Sequence, residues 1–86
     1  MKMDAVMKNQ VTRRLIAEQA ERYPDGTLFR VDIALAPNGS GSAVSTLIPP
    51  AAPPTEEPAY HGTRFKAWPQ YSMESDQSSY LVLRGF

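Results

Sequence analysis

The 86-residue chain is 42% hydrophobic and 21% charged, and nine basic residues balance nine acidic ones. That composition excludes wholesale disorder and fits one small domain. The absence of cysteine removes disulfide staples and thiolate metal cages, and a formal net charge of zero argues against a protein held chiefly by nucleic-acid phosphates.

Charge interrupts Met1 to Lys8 every few residues, so no secretory signal is expected there, and no apolar run is long enough to span a bilayer. The expected location is the cytoplasm. An amphipathic helix is expected from about Asp4 to Arg22, with Val11, Leu15, Ile16, Ala20 and Tyr23 on one stripe and Arg14, Glu18 and Glu21 opposite. Glu18 and Arg22 stand at i, i+4 in the favourable order. Pro24-Asp25-Gly26 ends the helix.

The period then falls to two. Phe29, Val31, Ile33 and Leu35 form the apolar face of a strand over 27–36. Asn38-Gly39 suits a tight turn, and a two-residue loop there sets Ile33 opposite Val44, Val31 opposite Thr46 and Phe29 opposite Ile48, while a four-residue loop shifts the partners and keeps the same face. A second strand is therefore expected over 42–48. Five of the eight prolines fall in 49–58, a stretch unfit for a central strand but suited to an extended crossover. Pro50-Ala51-Ala52-Pro53 matches the loose PxxP pattern without a flanking basic residue, and a rigid connection is its plainer reading.

A third strand is expected over 60–68, stopped by Pro69, and a fourth over 79–84. The fold expected is α+β: an N-terminal amphipathic helix packed on one face of a four-stranded antiparallel sheet, built as two hairpins joined by the proline-rich crossover. The whole chain, 1–86, reads as a single domain.

His61 is the only histidine and no carboxylates cluster at ligand spacing, so neither a metal nor a cofactor is expected. Gly39-Ser40-Gly41-Ser42 has neither the spacing of a nucleophile elbow nor the lysine of a phosphate loop. A catalytic role is not expected. Tyr60, Arg64, Lys66 and Trp68 share one side of the third expected strand, a pairing of aromatics and cations typical of protein-binding hot spots. The same four residues could stack bases and meet phosphates. Arg13-Arg14, on the outer half of the helix, could meet an acidic partner.

The order of helix then four strands resembles the cystatin-like protease inhibitors at the level of architecture. Their Gln-Val-Val-Ala-Gly loop is absent, only Trp68-Pro69 echoes their second hairpin, and no inhibitor residues carry over. The leading expectation is a non-enzymatic protein-binding module, one version being a small phage or mobile-element inhibitor or adaptor acting on a host protein complex. The alternatives are a nucleic-acid-binding accessory protein using the basic-aromatic strand face and a small structural subunit of a larger assembly. A homodimer fits any of these.

Overall fold

The computed structural model describes residues 10–48, 54–62, 64–72 and 77–85. These residues form a helix, α1 (Gln10–Ala20), and five strands: β1 (Leu28–Leu35), β2 (Gly41–Leu47), β3 (Tyr60–His61), β4 (Phe65–Ser72) and β5 (Gln77–Arg84). All strand pairs are antiparallel, in the order β2-β1-β5-β4-β3. The α+β class holds, with five strands where four are expected from the sequence.

On α1 the expected stripe is buried: Leu15, Ile16 and Ala20 enter the core, Thr12 and Gln19 beside them. Val11 and Tyr23 pack against its edge. The expected helical residues 4–9 lie outside the described residues. At the other end the helix tightens, with the Arg22 amide donating to Gln19 and that of Tyr23 to Ala20, both at 3.1 Å. Thr27 then closes a turn, its amide and hydroxyl both donating to the Pro24 carbonyl. Gly26, at φ 90°, supplies the left-handed residue that turn requires. Glu18 pairs with Arg14 at 4.0 Å, not with Arg22 as expected.

Phe29, Val31 and Ile33 of β1 face α1, joined by Tyr80 and Val82 of β5 and Phe65 and Ala67 of β4. Phe29, Ile16, Val31 and Val82 are the largest fully buried side chains, each contributing about 1.5–3 kcal/mol of transfer free energy.

The β1–β2 register departs from expectation by one residue. Phe29 faces Leu47, Val31 faces Ser45 and Ile33 faces Ala43. The Ala36 carbonyl accepts from Gly39, and the Ala36 amide donates to Ser40, which makes a three-residue loop, Pro37-Asn38-Gly39, with Gly39 at φ 90°. An odd loop reverses every side chain of β2. Val44 therefore points away from α1, and Gly41, Ala43 and Ser45 lie beneath the helix. Their small size lets α1 sit close: a Cβ on Gly41 would lie 2.8 Å from the Leu35 side chain and 3.2 Å from that of Leu15.

β2 and β3 occupy opposite edges of the sheet, so the proline-rich connection links one edge to the other. Residues 49–53 lie outside the described residues. Beyond them the Glu56 carbonyl accepts a 3.0 Å bond from the Trp68 indole. Trp68 alternates with the core residue Ala67, so 54–58 runs over the face away from α1. The Ala59 amide then joins the sheet by donating to Ala67.

The expected strand over 60–68 is two strands. The chain breaks pairing after His61, turns, and returns at Phe65, with Gly62 donating to the Phe65 carbonyl. Pro69 does not stop β4; it pairs with Tyr80 and is followed by a register shift before Tyr71. The strand tolerates it because the ladder alternates. Ala67 directs its backbone groups toward β3, so Pro69, two residues on, lacks a donor only on the side where β3 has ended. The fourth expected strand begins two residues early, at Gln77.

Candidate functional site

The break at Gly62 decides where the four expected site residues go. Tyr60, opposite Ala67, lies on the α1 side and packs against Phe65 with ring centroids 4.9 Å apart. A Cβ on Gly62 would collide with the Tyr60 ring, so the ring occupies space that glycine leaves. Arg64 lies in the β3–β4 turn and forms an ion pair with Glu21, just past α1. Lys66 and Trp68 alternate onto the opposite face. Trp68 is only 4% exposed and its indole nitrogen is engaged by Glu56. The four residues therefore do not share one face: Tyr60 and Arg64 line one site, Trp68 lines a second, and Lys66 lines neither.

The first is an open cleft of about 360 Å³ between α1 and the β3–β4 turn. Gln10, Arg13, Arg14 and Ala17 line it from α1, at the i, i+3, i+4 and i+7 spacing that defines one helical face. Tyr60, Arg64 and Phe65 line it from the hairpin. Three guanidinium groups thus border a cleft whose lining also includes two aromatic rings.

Two of these arginines are held by weak partners. Arg14–Glu18 and Arg64–Glu21 join side chains that are all more than half exposed, and such pairs contribute at most about 1 kcal/mol. An incoming carboxylate can displace either glutamate at little cost. Arg13 differs. Its Nε is enclosed and has no hydrogen-bond partner among the described residues. A buried donor left in this state costs about 1–3 kcal/mol. Sequence places Arg13 beside Arg14 but cannot show that one flank of the helix overhangs Tyr60.

The second site is a groove of about 250 Å³ lined by Glu56, Glu57, Ala59, Trp68 and Pro69. Its rim is acidic and its indole is already bonded. His61 is exposed on β3. Among the described residues no three of His, Cys, Asp and Glu stand close enough to hold a metal ion, and no helix is long and apolar enough to cross a membrane. Burial raises the Tyr80 phenol above its ordinary value, opposed by a hydrogen bond with Ser78. No family model, curated protein or solved structure matches the chain.

Proposed function

We propose that this chain is a non-enzymatic protein-binding module that receives an acidic segment of its partner in the cleft between α1 and the β3–β4 turn. The convergence of Arg13, Arg14 and Arg64 on one cleft carries this reading, because clustered guanidinium groups favour an anionic partner. Arg64 and Arg14 add forked donors that match carboxylate geometry. Tyr60 and Phe65 add aromatic surface of the kind that dominates binding energy at interfaces. The alternative of a single-strand nucleic-acid surface lacks its geometric basis, since Trp68 is buried on the other side of the sheet from Tyr60.

Site-directed photocrosslinking tests the proposal. A crosslinking amino acid at Gln10, on the cleft rim, is expected to trap a protein of discrete mass in a lysate of the native host. The same group at Asn38, in the β1–β2 turn, is expected not to. The Gln10 product should disappear with Arg13→Ala. Equal yields from both positions, or a product indifferent to Arg13, would refute this siting.

A further inference from the structure

The cleft lies by β3; the opposite edge of the sheet, β2, carries a separate observation. Edge strands of soluble proteins are normally short, charged, kinked or interrupted by proline. β2 has seven residues, Gly41–Leu47, with no charge and no proline, and its pairing with β1 is unbroken from end to end. No strand covers its outer side among the described residues. The ladder phase shows what that side offers. The Ala36 amide bonds to Ser40 at one end of β1, and the Arg84 amide bonds to Thr27 at the other. Together these direct the backbone groups of Ser42, Val44 and Thr46 inward to β1, and those of Gly41, Ala43, Ser45 and Leu47 outward. One outward carbonyl, Ala43, takes a long 3.4 Å bond from Gln19 and keeps a second lone pair.

We propose that β2 pairs antiparallel with β2 of a second copy of this chain, about a two-fold axis at Val44. Self-complementarity identifies the occupant. Centring the pair on Val44 matches Ala43 with Ser45 and Ser42 with Thr46, so no like charges meet. Val44, 65% exposed in the monomer, then lies against its own counterpart. Leu47, 63% exposed, lies across Gly41 of the second copy, where Leu35 and Leu15 already fill the space a Cβ would need. The two large exposed hydrophobic side chains thus both find apolar surface in one arrangement, and the result is a continuous ten-stranded sheet. The cleft stays open at both far ends, so this dimer and the cleft stand or fall separately.

Analytical ultracentrifugation of the full chain over a concentration series is the test, joined to a disulfide readout that the cysteine-free sequence makes clean. The wild type is expected to sediment at twice its 9.5 kDa chain mass. Val44→Lys, which opposes two ammonium groups on the axis, is expected to weaken the dimer on the order of 100-fold. Val44→Cys is expected to crosslink on mild oxidation, since residues in a non-hydrogen-bonded pair lie within disulfide reach. Thr46→Cys is expected not to crosslink, its counterpart being displaced by about 13 Å along the strand. A wild type that stays at 9.5 kDa throughout, a Val44→Lys dimer of undiminished strength, or crosslinking of Thr46→Cys as fast as of Val44→Cys would each overturn the proposal.

Discussion

The two faces of the sheet are packed by different means: α1 covers one, and on the other the cover is local to β4 while Arg30, Ala34 and Val44 stay exposed. On one, α1 buries Phe29, Val31, Ile33, Tyr80, Val82, Phe65 and Ala67 under Leu15, Ile16 and Ala20. This is non-directional burial, in which apolar area removed from water supplies the stabilisation. On the other, the segment 54–59 lies beside β4 and is fixed by two directional contacts: the Trp68 indole to the Glu56 carbonyl, and the Ala59 amide to the Ala67 carbonyl. Nearby, Asp32 pairs with Arg30 and accepts from the Ser79 hydroxyl, so this face also contains a polar network. The helix is expected to unfold with the core, and the second cover to open locally without unfolding the sheet, because contiguous units of low stability exchange independently.

The largest expected effect attacks the helix-covered face. Phe29→Ala removes the largest fully buried side chain and is expected to cost about 3–5 kcal/mol, much of the roughly 5–15 kcal/mol a domain possesses. Urea denaturation should show a lost or greatly lowered midpoint. Trp68→Phe is expected to cost about 1–2 kcal/mol, mainly the indole hydrogen bond to Glu56. Hydrogen exchange should accelerate at the Ala59 amide while Phe29 and Val31 keep their protection. Uniform acceleration over both groups would erase the distinction between the covers.

Arg13→Met sharpens the comparison differently. It keeps the aliphatic stem over the cleft and removes an enclosed donor that bonds nothing among the described residues. Stability is expected to stay within about 0.5 kcal/mol or to rise, while the Gln10 crosslink is lost. A loss of several kcal/mol would make Arg13 a structural residue. The smallest effect is confined to alkaline pH. Burial disfavours the Tyr80 phenolate and raises its folded pKa above the ordinary 10.0. The stability this group contributes is therefore complete below pH 10 and is lost as pH rises through the higher folded value. Tyr80→Phe should flatten that alkaline decline in thermal melts, and an unchanged decline would assign it to other groups.

The helix-covered face was legible in the sequence because it rests on periodicity. Leu15, Ile16 and Ala20 at helical spacing, and Phe29, Val31 and Ile33 at strand spacing, identify buried residues with no knowledge of partners. Expectation and structure differ where one residue of connection sets the outcome. Asn38-Gly39 points to a loop of even length, whereas the three-residue loop Pro37-Asn38-Gly39 reverses Val44 from inward to outward. Gly62 reads as one more residue in an alternating run, yet the Tyr60 ring folding over it divides the strand. Pro69 reads as a stop until the ladder phase shows that its missing amide faces no partner. The cleft combines both cases: Tyr60 and Arg64 stood out as candidates, but their meeting with Arg13 depends on how α1 lies across the hairpin, which no local pattern encodes.

The cleft is tested most directly at Arg13 itself. In a titration of the ¹⁵N-labelled chain with a tetraglutamate peptide, the Arg13 Nε–H resonance is expected to shift and saturate. Tetraglutamine should leave it unmoved, and Arg64→Ala should weaken the tetraglutamate response about tenfold, the worth of one charge-assisted hydrogen bond. An Arg13 resonance that stays in place while tetraglutamate perturbs amides elsewhere would contradict the assignment of this cleft as the binding site.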